Sequence, residues 1–349
     1  MREIVHVSIG GSRVRVRFTN AHGQAPLQIG AAHVALRSSG AATMPGSDRA
    51  LAFGGKSSVT IAPGAAVLSD PVNLDVPPRS DLAVSIYLPV ATGLPTLHFR
   101  SRQTNYVSPK GNFTSAASMP VASTTVCADQ FANRVCTSPW YFLAGVDVRA
   151  PAGVGAVVAL GDSITAGAGT NTDTNRRWPD VLARRLLNQG PVTGVLNQGI
   201  GGNAIWSSEL GPSALARFDR DVLATSGSRF VIVLLGINDL IDGTSAARVI
   251  SGLQQLATRT QAAGLKVYGG TLTPFQRGSD TLEAQRQAVN RWIRTSGAFD
   301  AVIDFDAVLR DPALPRRMRP LYDSGDTLHP NAAGYEAMAG AIDLSLFRP

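Results

Sequence analysis

Gly155-Ala156-Val157-Val158-Ala159-Leu160-Gly161-Asp162-Ser163-Ile164 decides the fold of the second half of this chain. From Gly155 to Leu160 every residue is small or apolar, and the run then breaks at Gly161 into a loop bearing a carboxylate and a hydroxyl. A short run with no polar alternation reads as a strand buried on both faces of its sheet. The pattern recurs at Val192–Leu196, Arg229–Leu235, Lys266–Tyr268 and Ala301–Ile303. Helical periodicity falls between these runs, at Trp178–Asn188, Ser245–Ala263 and Leu282–Thr295, and a last helix is predicted from Asn331. Buried strands alternating with helices predict an α/β domain, a parallel sheet covered on both faces. In such sheets chemistry gathers in the loops beyond the carboxyl ends of the strands.

Upstream the pattern differs. Ser12–Phe18 alternates apolar and charged residues, the mark of a strand with one buried face. Short strands are also predicted at Ser58–Ile61, Leu82–Leu88, Thr96–Phe99 and Tyr141–Val148, separated by turns such as Gly54-Gly55, Pro63-Gly64 and Pro77-Pro78. Many short strands with frequent turn signals predict an all-β sandwich or jelly roll. Arg149-Ala150-Pro151-Ala152-Gly153 reads as a linker, so a β-domain over 1–150 and an α/β domain over 151–349 are expected. A chain of 349 residues favours two domains over one.

Apolar residues make up 44% and charged ones 16%, a globular composition that excludes a disordered chain. The net charge is +7, but the basic residues are scattered, densest at Arg176-Arg177, Arg184-Arg185 and Arg316-Arg317-Met318-Arg319. With no long basic run and no interleaved aromatics, they read as a solvated surface, and a nucleic-acid partner is not expected. An acidic polysaccharide or an anionic lipid surface stays open. Cys127 and Cys136 are too few to make a structural zinc site. A small disulfide-closed loop is expected from them, with free buried thiols as the alternative. The longest apolar run, Phe230–Ile237, is too short to cross a bilayer. Met1-Arg2-Glu3-Ile4 leads directly into a strand pattern, so a secreted or periplasmic location is expected only with its signal already removed.

Four segments carry chemistry, each in the right kind of loop. Gly161-Asp162-Ser163-Ile164 puts a hydroxyl just past the Gly155–Leu160 strand, although a lone serine there is as easily a helix cap. Asn197-Gln198-Gly199-Ile200-Gly201-Gly202-Asn203 follows the second predicted strand, with glycines that let backbone N–H groups approach a ligand. Gly236-Ile237-Asn238-Asp239 follows the third and offers an amide donor. Asp326-Thr327-Leu328-His329-Pro330 holds a carboxylate three residues from an imidazole, a base with its orienting group. His329 is also the only histidine after His98. Taken singly, each segment has a structural reading; in this order, at these places, they point to nucleophilic attack with a stabilised oxyanion.

These four segments resemble the signature blocks of the SGNH (GDSL-type) hydrolase family, and the resemblance runs from residue 156 to 347. It implies a flavodoxin-like three-layer α/β/α domain that needs no cofactor and no metal. It assigns Ser163 as nucleophile and oxyanion donor, Gly202 as the second donor (Gly201 if the alignment slips by one) and Asn238 as the third. Asp326 and His329 complete its triad, and Ile164 stands where the family usually has leucine. Trp206, Phe275 and Leu328 are candidates for the acyl or alcohol pocket. Gly10–Val16, Ser69-Asp70-Pro71-Val72 and Trp140-Tyr141-Phe142-Leu143 resemble the β-domain preceding some bacterial secreted esterases, including xylanolytic ones. The activity implied is hydrolysis of carboxylic esters, of short acyl groups and O-acetyl groups on carbohydrate, with small-molecule or carbohydrate substrates. A long-chain lipase, or a carbohydrate-binding protein whose hydrolase domain is inactive, is the alternative. A metal phosphoesterase built on Asp162, Asp239, Asp326 and His329 would leave Ser163, Gly202 and Asn238 without roles.

Overall fold

The computed structural model describes residues 1–124, 139–207, 210–276 and 278–348. Cys127 and Cys136, the expected disulfide, lie outside these residues. The chain divides into two compact units, Met1–Ala152 and Gly153–Pro349.

The first unit is antiparallel. In chain order its strands are β1 (Arg2–His6), β2 (Gly11–Thr19), β3 (Leu27–Ile29), β4 (Ala31–Leu36), β5 (Arg49–Ala50) and β6 (Val59–Ile61). They continue with β7 (Ala66–Leu68), β8 (Val72–Val76), β9 (Asp81–Tyr87), β10 (Leu97–His98), β11 (Trp140–Tyr141) and β12 (Leu143–Val148). One sheet runs β1-β9-β4-β5 and another β12-β2-β7, with β8 also paired to β2. The alternation in β2 faces Val14, Val16 and Phe18 inward, against Val34 of β4 and Leu82, Val84 and Ile86 of β9, in one hydrophobic core. That is how a sandwich buries two half-apolar sheets. Tyr141–Val148, read as one strand, is broken at Phe142, whose φ of 60° takes the backbone out of the extended region.

In the second unit β13 (Ala156–Gly161) leads through α1 (Ser163–Ala166) and α2 (Trp178–Gln189) to β14 (Gly194–Gly199). Next come α3 (Ala214–Phe218), β15 (Ser228–Leu234), α4 (Ile237–Ile241), α5 (Ala246–Ala262) and β16 (Lys266–Gly270). The chain closes with α6 (Asp280–Thr295), β17 (Ala301–Ile303), α7 (Phe305–Leu309) and α8 (Ala332–Gly340). The sheet is parallel throughout, in the order β14-β13-β15-β16-β17. Val157 and Ala159 of β13 face a core shared with α2, α7 and α8, while Val158 and Leu160 face one shared with α3, α5 and α6. This is a three-layer α/β/α domain with flavodoxin-like strand order. Such a sheet has a switch point where consecutive crossovers leave in opposite directions, which here lies between β13 and β15. The loops after Gly161 and Leu234 leave the carboxyl ends of the two strands that flank this point. Among the described residues no helix is long and apolar enough to cross a membrane.

Candidate active site

The loop after β13 is short and fully occupied. The Asp162 carboxylate caps α1 by accepting the Ile164 N–H at 2.8 Å, which sets Ser163 at the first helical position. Burial pushes the Asp162 carboxyl up to about 7; the Ile164 N–H and Arg217 pull it down, and the charge of Asp239 adds to the rise. β14 closes against this turn, and a Cβ on Gly199 would stand 2.2 Å from the Ala166 nitrogen, so only glycine fits there.

His329 comes from the other end of the unit. Asp323 Oδ1 accepts the N–H groups of Gly325 at 2.7 Å and Thr327 at 3.1 Å, curling the loop before α8. Asp326 Oδ1 then accepts the N–H groups of Leu328 (2.9 Å) and His329 (2.8 Å), and its Oδ2 stands 2.5 Å from His329 Nδ1. Thr327 takes a φ of 64°, unusual for a β-branched residue, and this lets the loop reverse between the two. Desolvation alone would raise the Asp326 carboxyl. The His329 ring and the two backbone donors outweigh it and hold Asp326 well below the usual carboxylate range. With the Nδ1 proton directed at Asp326, Nε2 offers a lone pair to the Ser163 hydroxyl, whose Oγ lies 2.8 Å away. Hydroxyl, imidazole and carboxylate are thus in hydrogen-bonded sequence, and such an array can move a proton off the hydroxyl.

The donor side is assembled around Asn203. Asn238 is the second residue of α4, directly beyond the switch point, and its Nδ2 donates to the Asn203 carbonyl at 2.8 Å. A side-chain amide carries two N–H groups, so this bond uses one of them. Gly202 turns with a φ of 73°. Asp239, buried, accepts the N–H of Ile205 (3.1 and 2.9 Å to its two oxygens) and of Trp206 (3.2 Å), which pins the loop following Gly202. Asn197, Gln198 and Gly199, expected in the loop after the second strand, belong to β14 itself. The strand begins later than predicted because Val192 is exposed, and it tolerates polar residues because it is the sheet edge.

The three expected pocket residues do not share one environment. Phe275 and Leu328 are closed into the hydrophobic core. Trp206 lies against α5, donating Nε1–H to the Arg248 carbonyl at 2.8 Å with the Arg248 guanidinium 4.9 Å over its ring. Asp162 and Asp239 are each engaged by backbone N–H groups. Among the described residues no three His, Cys, Asp or Glu side chains gather as metal ligands. One residue beneath the site escaped the sequence reading. Arg217 of α3 is 1% exposed, with its guanidinium among the strand ends. Its only sequence signal is a charge on the helix face that also carries Ala214, whereas arginine on so short a helix is ordinarily solvated.

A hydroxyl hydrogen-bonded to an imidazole and a carboxylate, at the switch point of a parallel α/β/α sheet, is an arrangement suited to nucleophilic chemistry. The model of the GDSL-like lipase/acylhydrolase family matches residues 159–337. The chain belongs to that family and is a carboxylic ester hydrolase. It is 28% identical over 187 residues to the esterase TesA of Pseudomonas aeruginosa, covering 50% of this chain and 88% of that protein. Among solved structures it is similar to a protein described as a lipolytic protein of the G-D-S-L family from Desulfitobacterium hafniense. That match has 23% identity, covers 53% of this chain and 95% of the other, and has a TM-score of 0.44. It is also similar to an acetyl xylan esterase from Geobacillus stearothermophilus, with 20% identity, 54% and 94% covered, and a TM-score of 0.43.

Proposed function

We propose that this chain hydrolyses carboxylic esters through Ser163, His329 and Asp326, with the N–H groups of Ser163 and Gly202 and the Asn238 amide as the oxyanion hole. The observation that carries the reading is the relay itself: Ser163 Oγ 2.8 Å from His329 Nε2, and His329 Nδ1 2.5 Å from Asp326. His329 takes the Ser163 proton as Oγ bonds to the ester carbonyl carbon. The negative oxygen of the tetrahedral intermediate accepts from the three donors. As the intermediate collapses, the ester C–O bond breaks and the alcohol leaves with the proton from His329. Water, deprotonated by the same imidazole, then attacks the acyl-enzyme; the acid departs, and Ser163 regains its proton.

Short acyl groups, O-acetyl esters of carbohydrate among them, are the substrates we assign. Packing of Phe275 and Leu328 into the core, where a long acyl chain would need them open, supports that choice. The β-unit resembles those preceding xylanolytic esterases and is assigned as an accessory domain that holds a polymeric substrate. The paired-cysteine expectation and that resemblance together support secretion or a periplasmic location. Hydrolysis of a p-nitrophenyl ester series, from acetyl to long acyl, tests the reading. Rates that fall with chain length support it; preference for long chains makes the enzyme a lipase; no turnover at any length removes the esterase assignment from this site. Deleting residues 1–152 is expected to raise KM on an acetylated polysaccharide and leave KM on p-nitrophenyl acetate unchanged. Equal effects on both substrates reject the accessory role.

A further inference from the structure

We propose that Arg217 is a positioning residue for the oxyanion hole: one buried guanidinium fixes the nucleophile turn and the donor loop relative to each other. The inference rests on the reading of Ser163, Gly202 and Asn238 given above. α3 is capped by Ser213 and passes directly into a π-helical turn, Asp219–Leu223. This geometry turns Arg217 inward beneath the carboxyl ends of β13 and β14.

Its partners are unusual for a buried cation. Nη2 donates to the Gly161 carbonyl at 3.0 Å, Nη1 to the Gln198 carbonyl at 2.8 Å, and Nε to Asn203 Oδ1 at 3.1 Å. The one carboxylate, Asp221 at 3.0 Å from Nη1, is shared with Arg220, which bonds both of its oxygens at 2.6 and 3.2 Å. Neutralising a buried charge calls for carboxylates, yet most of this fork is spent on neutral oxygens. Each of those oxygens belongs to the end of β13 or to the segment that carries Gly202. Gly161 leads into Asp162-Ser163, Gln198 is the penultimate residue of the strand that feeds the glycine loop, and Asn203 follows Gly202. The Asn203 carbonyl also receives Asn238 Nδ2 at 2.8 Å, which links the third donor to the same assembly. A guanidinium is planar and rigid, so three oxygens bound to it hold fixed separations. Donors around an oxyanion act only when held to a fraction of an ångström, and such spacing is what this fork supplies.

The test uses the full chain and p-nitrophenyl acetate. In Arg217→Met, kcat is expected to fall about 10- to 100-fold with KM within about twofold, the signature of interactions made in the transition state. Asp221 keeps Arg220, so the substitution leaves no lone buried carboxylate. Arg217→Lys retains the charge but not the fork, and its kcat is expected between the two. A purely structural role is separated by a cycle with Asn238→Ala. If Arg217 acts through the donors, Arg217→Met slows Asn238→Ala by no more than about threefold, whereas independent effects multiply. Wild-type kcat in either Arg217 variant, or multiplying losses, overturns the proposal. Should Arg217→Met fail to fold, Arg217→Lys decides it alone. Labelling of wild-type Ser163 by an organophosphate separates the two readings. An active enzyme that resists labelling rejects the site and this role together; a labelled Ser163 with unimpaired Arg217 variants rejects this role only.

Discussion

The helix layer that holds α3 and α6 buries two arginines, one toward each end of the parallel sheet, and the two are used differently. Beneath β14 and β13, Arg217 spends most of its fork on carbonyl and amide oxygens. On the β16–β17 side, Arg286 meets both oxygens of Glu283 at 2.8 Å and Asp306 Oδ1 at 2.6 Å, with the Leu272 carbonyl at 3.0 Å as its one neutral partner. Asp306 is fully buried and also accepts from Arg294 at 2.8 Å and Arg310 at 3.1 Å, closing a charge network across α6 and α7. Carboxylates neutralise a cation and bind helices to the sheet; neutral oxygens leave the charge less compensated but fix where loops stand. The carboxylate side should therefore govern stability, and the side of β13 and its neighbours should govern rate.

The sharpest division comes from Ser163, the proposed nucleophile. Ser163→Ala is expected to lower kcat/KM on p-nitrophenyl acetate by about 10⁴-fold or more while the melting temperature stays within a few degrees. Residual turnover within tenfold of wild type would remove Ser163 from the mechanism. Asn238→Ala comes next, with kcat down about 100- to 1000-fold and KM little changed. A pure KM effect would make Asn238 a substrate-binding group only. Arg286→Met should reverse the pattern. Unfolding in urea should show a loss of about 1–3 kcal/mol, because Glu283 and Asp306 lose a shared cation while Asp306 keeps Arg294 and Arg310, and kcat per folded molecule is unchanged. If kcat falls with the fold intact, the two ends of the sheet are not functionally separate.

The smallest expected effect is a pH dependence of stability at Asp162. Burial raises its carboxyl from 3.8 to about 7 in the folded protein. A raised folded value stabilises fully below about pH 4, and that contribution is lost as pH rises through about 7. Asp162→Asn keeps an oxygen for the Ile164 N–H and removes the ionisation. Its stability curve should therefore lack the decline that wild type shows between those limits, as melting temperatures across the window would record. Parallel curves for the two proteins would place the titration elsewhere.

How far sequence reaches follows the same divide. The β13 run and its turn were legible because a strand buried on both faces leaves no polar residue until its loop begins. The Asp326–His329 relay was legible because base and orienting group sit three residues apart, so local geometry alone makes them meet. Helices α1, α3, α4 and α7 span only four or five residues, too few for a period to show. Phe142 gave no warning of its positive φ, since nothing in a Trp-Tyr-Phe-Leu run signals a break. Arg217 was invisible for a different reason. Its partners lie 14, 19 and 56 residues away, and only the β14-β13-β15 strand order gathers them around one side chain.

Asn331 anchors the loop that bears Asp326 and His329, donating to the carbonyls of Leu321 at 2.9 Å and Asp323 at 3.0 Å while its own Oδ1 caps α8. Asp326 and His329 thus ride on one piece of chain, whereas Ser163 opens α1, just past the end of β13. Were that piece to open, the imidazole and its carboxylate would leave together, and reclosing would return them already aligned. Loss of activity on gentle heating would then be reversible and all-or-none for each molecule, with no long-lived form in which a wrongly turned histidine faces the serine.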